Sequence, residues 1–309
     1  MNDNVFLYIY HRLLTKKFMK SKKKVVKSNL RWPGGKSKMT RILDKYMPDE
    51  VNRYLEVFTG GGSVLLHVLQ KYEPVTSYAN DIEKGLIAYY ERVKNNPEET
   101  IRECLDYKDR FTSETFRNEF YNLDRTNPVH FFISNKTSFS GMNNNYSKQA
   151  YDHNFTVNSI NKIKDISTVI QDTDFLNLDF NDIDANVNEE IRGFFIYLDP
   201  PYYGNKNVGL YGKDGKLHKE FDHESLYKWV KKHSSKNLIM MSYDDNPYIR
   251  ELYKDYYIFN FDFVYSMTNT GGNSCREGQE IVITNYVPKA LRKHNPRQLS
   301  LFSEDEFID

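Results

Sequence analysis

A chain of 309 residues with 39% hydrophobic content can bury a sizeable core, as one large domain or as a domain carrying an insertion. Its 43 basic and 42 acidic residues leave a net charge of +1, so overall charge does not advertise a nucleic-acid partner. Cys104 and Cys275 lie far apart without metal-ligand spacing and no stretch is long enough to span a bilayer, so we expect a reduced, cytoplasmic protein without structural zinc or membrane contact.

Residues 1–28 read as a basic, flexible extension. Lysines crowd positions 16–27, Met19 offers a second possible start, and the apolar run 5–10 ends at His11 and Arg12, too soon for a signal peptide. Over residues 29–93 strand and helix alternate around Gly-rich turns: a strand at 54–58, a helix at 63–72, a strand at 75–79 and a helix at 82–93. Residues 94–164 turn helical, aromatic and charged, then become a polar loop. The alternation resumes over 165–288, with strands near Ile196, at 238–241 and at 281–286. Residues 289–309 read as a flexible tail. The organisation expected is an α/β domain, 29–93 and 165–288, interrupted by an insert at 94–164.

Chemistry gathers at the strand ends. Gly60, Gly61 and Gly62 follow the first strand and run straight into a helix, so the backbone can approach a ligand closely. Their spacing is neither the dinucleotide fingerprint nor a phosphate-cradling loop. Asn80-Asp81 ends the next strand, either as a helix cap or as a carboxylate gripping two ribose hydroxyls. The run 193–198 is apolar on both faces. It delivers Asp199-Pro200-Pro201-Tyr202 to the carboxyl end of a buried strand, where open α/β sheets hold ligands. The two prolines fix φ and remove two donors, which leaves the Pro200 carbonyl as an unpaired acceptor. A carboxylate, a carbonyl and an aromatic face suit a flat heterocycle carrying an exocyclic amino group. Residues 203–215, rich in Gly and Tyr, read as a mobile loop closing over that ring or as a long surface loop. Asn246-Pro247, after a further strand, reads as a helix cap and first turn.

Arg31-Trp32-Pro33-Gly34-Gly35-Lys36, the Phe58–Gly62 loop, Asn80-Asp81 and Asp199-Pro200-Pro201-Tyr202 occur in the order seen in Dam-type (D12 class, alpha group) DNA adenine-N6 methyltransferases. The chain resembles that family from about residue 31 to residue 286. Between these motifs, residues 132–141 look like the family's Asn-Arg-Thr-x-Phe-x-Gly segment, and residues 276–286 are similar to its closing strand. The resemblance implies a Rossmann-like S-adenosylmethionine-dependent methyltransferase sheet, with a mostly helical target-recognition insert at 94–164. It implies that Trp32 and Lys36 contact the cofactor, and that Phe58, Gly60 and Gly62 line its methionine part. Asp81 would hold the ribose. Asp179-Phe180 would read the cofactor's adenine, with Asp174-Phe175 as a competing register. Asp199, Pro200, Pro201 and Tyr202 would hold the target adenine, flipped out of double-stranded DNA, with no metal required. Asn143, Asn144, Asn145, Tyr146 and Lys148 fall where the family keeps a DNA-probing hairpin, and Lys136 of the 132–141 segment is expected to bind DNA with them.

Three departures stand out. Lys136 replaces an arginine, Ser138 a cysteine, and the arginine usual after the glycine is missing, so the family's recognition sequence is not carried over. RNA methylation and a non-catalytic nucleic-acid-binding role compete with DNA methylation, and the intact glycine loop and Asp199-Pro200-Pro201-Tyr202 favour an enzyme. Its role would be that of an orphan or a restriction-paired methylase. In the tail, Gln298-Leu299-Ser300-Leu301-Phe302 resembles the short peptides that dock on the replication sliding clamp; the alternative is a tail packed back on the core.

Overall fold

The computed structural model describes residues 25–187, 189–203, 221–265 and 276–288, with 261–265 and 276–279 by backbone alone. Seven strands form one sheet: β1 (Arg53–Glu56), β2 (Thr76–Asn80), β3 (Thr173–Leu176), β4 (Phe195–Leu198), β5 (Leu238–Asp244), β6 (Tyr257–Tyr265) and β7 (Arg276–Thr284). Their order is β3-β2-β1-β4-β5-β7-β6. β1 to β5 are parallel, and β7 runs antiparallel to both of its neighbours. The order reverses between β1 and β4, which opens a crevice at their carboxyl ends. This is the Rossmann-like α/β sheet expected. Every residue of β4 is buried, as a central parallel strand covered on both faces requires.

The first half contributes helices α1 (Thr40–Leu43), α2 (Ser63–Tyr72) and α3 (Lys84–Asn95). The insert contributes α4 (Pro97–Arg110), α5 (Phe116–Asn122), α6 (Pro128–Thr137), α7 (Lys148–Asn154) and α8 (Val157–Val169). The second half adds α9 (Ile183–Asn186), α10 (His223–Ser234) and α11 (Pro247–Leu252). Caps explain several starts. Asn127 accepts from the amides of Val129 and His130 with Pro128 in the first turn, Thr156 and Ser159 form a reciprocal capping box, and Asn246 caps α11 as its sequence suggests. Several boundaries moved by a few residues: the strand expected at 54–58 ends at Glu56, that at 238–241 continues to Asp244 and that at 281–286 spans Arg276–Thr284. The helix expected from residue 82 begins at Lys84, because the Asp81 carboxylate takes the Glu83 amide at 2.9 Å and holds a turn there. β3 and β6 are strands that the hydrophobic pattern did not single out. β3 is a four-residue edge strand with Asp174 exposed on its outer face.

The insert has no separate core. Phe116, Phe120, Phe131, Phe132 and Ile163 join Leu65, Leu86 and Tyr89 in one buried cluster on one face of the sheet. Tyr89 of α3 stacks on Phe132 of α6 at 5.4 Å, a contact worth about 0.5–1.5 kcal/mol beyond its buried area. A second cluster, with Ile196, Leu198, Ile239 and Trp229, covers the opposite face. No helix among the described residues is long and apolar enough to cross a membrane.

Candidate active site

A cleft of about 190 Å³ opens at the carboxyl ends of β1, β2 and β4. The loop after β1 turns on Gly60 and Gly62, both left-handed at φ +47° and +65°. A Cβ on Gly60 would lie 2.7 Å from Trp32 Nε1, and one on Gly62 2.3 Å from the Tyr90 hydroxyl. The glycines therefore serve close packing of the protein on itself as well as the turn. Asp81 ties this loop to the next: Oδ2 accepts the Gly60 amide at 2.8 Å and Oδ1 that of Glu83. Burial pushes the Asp81 carboxyl up to about 6, against the pull of those amides. Buried Asn80 completes the tie. Its side chain donates to the carbonyls of Val57 (3.0 Å) and Leu178 (3.1 Å) and accepts the Leu178 amide at 3.1 Å.

Phe58, Phe180 and Phe221 form a three-way aromatic wall with centroids 5.7–6.0 Å apart. Asp179 and Phe180 both line the cleft. The competing pair does not: Asp174 lies on β3 with Lys94 at 3.5 Å, and Phe175 is buried, stacked on Tyr90.

At the end of β4 the Asp199 carboxylate is held unevenly. Oδ1 receives Lys36 Nζ at 2.8 Å, Ser242 Oγ at 2.9 Å and the Tyr202 hydroxyl at 3.4 Å. Oδ2 accepts no hydrogen bond among the described residues. Lys36 comes from the N-terminal loop, is 3% exposed, also reaches the Gly34 carbonyl, and lies 4.9 Å from the centre of the Tyr202 ring. The Tyr202 hydroxyl is also 3.2 Å from Glu280 Oε2 on β7. Below them Glu56, buried and bonded to the Tyr54 hydroxyl at 2.6 Å, lines the cleft. Burial drives its carboxyl well above the usual range, against the Tyr54 bond and with the Asp199 and Asp81 charges adding to the rise.

The segment 132–141 turns inward. Asn135 accepts the Arg31 amide at 2.9 Å and donates to the carbonyls of Arg31 (2.7 Å) and Gly141 (2.9 Å). It thereby clamps the loop that carries Trp32 and Lys36. Lys136 corrects the expectation of a DNA contact. It is 5% exposed, its ammonium donates to the Asn29 carbonyl, and burial lowers its pKa to about 8. A side chain enclosed in this way is not presented to a duplex.

A hairpin follows, in which Ser138 bridges Tyr146 and the Phe139 amide donates to the Asn145 carbonyl at 3.0 Å. Asn144, Asn145 and Lys148 are exposed, with Lys148 paired to Glu114. Asn143 instead lines the cleft, and half-buried Tyr146 donates to the Ser113 carbonyl with its ring against Phe116 and Phe120. Ser242, Glu280, Glu56 and Phe221 are candidate-site residues that sequence reasoning missed. Ser242 and Glu280 come from strands already read at this sheet edge, but only their register shows which residues face Asp199. The loop from residue 204, residues 1–24 and Gln298–Phe302 lie outside the described residues.

The sequence model of the family described as D12 class N6 adenine-specific DNA methyltransferase matches residues 32–267. The chain is 28% identical over 294 residues to the type II methyltransferase M.MjaIII of Methanocaldococcus jannaschii, covering 84% of this chain and 99% of the relative. It is 27% identical over 285 residues to the type II methyltransferase M1.LlaDCHI of Lactococcus lactis subsp. cremoris, covering 84% and 97%. A DNA adenine methylase of Haemophilus influenzae is 25% identical over 244 residues, covering 72% of this chain and 82% of that protein. Since the family match takes in the glycine loop, Asn80-Asp81 and Asp199 through Tyr202 and spans most of the chain, this protein belongs to the D12 class of N6 adenine-specific DNA methyltransferases.

Proposed function

We propose that the cleft binds S-adenosylmethionine and directs methylation of the N6 amino group of an adenine turned out of double-stranded DNA. The observation that carries this reading is the asymmetry of Asp199, with Oδ1 held by Lys36 and Ser242 and approached by the Tyr202 hydroxyl, and Oδ2 left to accept. The lining fits the cofactor. Asp81 and Asp199, against the single cation of Lys36, leave the lining with negative charge suited to a cationic ligand, and the Asp81 oxygens keep lone pairs for ribose hydroxyls. Phe58, Phe180 and Phe221 offer a wall for an adenine ring, with Trp32 and Lys36 alongside. When bound, S-adenosylmethionine supplies an electrophilic methyl group.

The protein's part is to make a weak nucleophile react. The lone pair of adenine N6 is delocalised into the ring. Asp199 Oδ2 and the Pro200 carbonyl accept its two hydrogens, favour a pyramidal nitrogen and stabilise the positive charge that develops there. No base of raised pKa is needed, because the methylated cationic nitrogen is acidic and sheds its proton readily. Tyr202 stacks on the extruded ring, a contact worth about 1–3 kcal/mol in single-strand binders. Holding the nitrogen in line with the methyl group supplies the rest. Asn144, Asn145 and Lys148, exposed on the hairpin, would meet the DNA.

The type II names of the relatives favour a modification role beside a restriction enzyme over an orphan one. A cytoplasmic site of action follows from the DNA substrate. Docking of Gln298–Phe302 on the sliding clamp rests on the motif alone, and equal pulldown of a Gln298→Ala, Phe302→Ala variant by purified clamp would end it.

The test is expression in a methylation-free bacterial host beside Asp199→Ala, with single-molecule sequencing of the genome. N6-methyladenine at one defined motif, absent with the variant, supports the reading. Unmarked adenine despite folded protein that binds S-adenosylmethionine overturns it.

A further inference from the structure

Methyl transfer as proposed depends on one oxygen of Asp199, and a hydrogen-bonded chain behind the other oxygen decides where the first one points. Ser242 Oγ lies 2.9 Å from Asp199 Oδ1 and 2.8 Å from the Tyr197 hydroxyl. The strand geometry brings the three together. Asp199, the residue after β4, is two beyond Tyr197 and continues its face of the sheet; Ser242 is two beyond Met240, the partner of Tyr197 in β5, and shares that face.

Valence sets the direction of the chain. An ionised carboxylate only accepts, so the single proton of Ser242 goes to Asp199. The Ser242 oxygen must then accept, and Tyr197 donates to it. Tyr197 and Ser242 are both 0% exposed, so no bulk water competes for either bond. Burial and the Asp199 charge push the Tyr197 phenol well above its ordinary range, and it keeps the proton it donates. Each donor polarises the next, which strengthens the last bond.

We propose that Ser242, oriented by Tyr197, is a positioning residue for methyl transfer that fixes the rotation of the Asp199 carboxylate so that Oδ2 meets the amino group of the target adenine. This rests on the function proposed above. Lys36 supplies charge to the same oxygen from a long, flexible stem, and the Tyr202 hydroxyl stands at 3.4 Å. Ser242 has one short arm on a rigid strand. It alone combines a short bond with a fixed direction, and without it the carboxylate can turn and exchange its oxygens.

The experiment uses the full chain and a duplex containing the motif mapped in the methylated genome. Wild type, Ser242→Ala, Tyr197→Phe and the double variant are compared for kcat, KM for DNA, calorimetric affinity for S-adenosylmethionine, and melting temperature. Ser242→Ala lowers kcat about ten- to a hundredfold, the loss expected for one hydrogen bond to a charged group, while KM and cofactor affinity stay within about twofold. Its melting temperature falls, because the Tyr197 hydroxyl loses its acceptor. Tyr197→Phe lowers kcat less. In the double variant both partners are gone, so the melting temperature recovers while kcat stays as low as in Ser242→Ala alone. Ser242→Ala with kcat within about twofold of an active wild type overturns the proposal. So does a double variant whose kcat recovers along with its melting temperature, since that assigns Ser242 to packing. A wild type that leaves no mark on DNA overturns instead the functional reading on which this one stands.

Discussion

At Asp199 the polar atoms of the chain converge on a cleft, whereas at Asn135 and Lys136 they turn back on the chain itself. Both segments are polar and sit in loops or helix ends near the same opening. The difference lies in who answers them. Asp199 keeps one oxygen without a protein partner among the described residues, while Asn135 satisfies both ends of its amide on the Arg31 backbone and Gly141, and Lys136 is enclosed against Asn29. A polar motif that has consumed its own hydrogen-bonding capacity holds the fold; one that has kept some is available for chemistry.

The largest test of this contrast is Asp199→Ala. It should lower kcat by about 10²–10³-fold or more, because the developing charge loses its acceptor. It should also destabilise the fold by a few kcal/mol, roughly, since Lys36 at 3% exposure loses its ionic partner. Methyl incorporation and urea unfolding read the two effects separately. Next comes Asn135→Ala. With the Arg31 amide and carbonyl left unanswered, unfolding free energy should fall by about 3 kcal/mol and cofactor affinity should weaken, while the methylated motif stays the same. Unchanged stability would erase the distinction between the two segments.

Asp81 sharpens the contrast on the cofactor side. Its carboxyl is raised from 3.8 to about 6, so it is protonated below that pH in the folded protein. Ribose hydroxyls donate to the carboxylate form, so S-adenosylmethionine affinity should weaken as pH falls through about 6, and Asp81→Asn should be weaker and flat across that range. Titration calorimetry from pH 5 to 8 (roughly the range in which such a group reports) decides it.

The smallest effects separate two lysines. Lys136 has its pKa lowered from 10.5 to about 8, so between those values the unfolded chain binds more protons than the folded one. The cost of burying its charge is full below about 8 and is relieved as pH rises toward 10.5; stability of wild type relative to Lys136→Met should therefore rise across that window. The variant should leave the salt dependence of DNA binding unchanged. Lys148→Ala, at an exposed hairpin position, should reduce that salt slope by about one. Reversal of the two results would return Lys136 to the DNA surface.

Much of the site was legible because it depends on local chemistry. Three glycines entering a helix, an Asn-Asp pair ending a strand, and two prolines after an apolar run each constrain a few neighbouring residues. What stayed hidden depends on register. Asp174-Phe175 and Asp179-Phe180 look alike in one dimension, and only the pairing of Asp174 with Tyr78 shows that the first belongs to β3. Ser242 looks like any strand serine until β5 is laid beside β4. Lys136 reads as a surface cation because nothing in its neighbours reveals that residue 29 returns to cover it. The glycine loop reads as a place of ligand approach, and the packing of Trp32 and Tyr90 against it is a contact between distant segments.

The place of β7 has a consequence for how the enzyme comes into being. It is the last strand described in the chain, yet it lies inside the sheet, between β5 and β6. During synthesis β6 emerges first and waits, for among the described residues only β7 pairs with it. Glu280, which reaches the Tyr202 hydroxyl, arrives on that same late strand. Completion of the sheet therefore demands contacts of long sequence separation, a slow class of folding event. A nascent or truncated chain ending before residue 276 should carry every motif of the glycine loop and of Asp199 through Tyr202 and still lack a braced site. The activity would wait until β7 has been made and has entered the sheet.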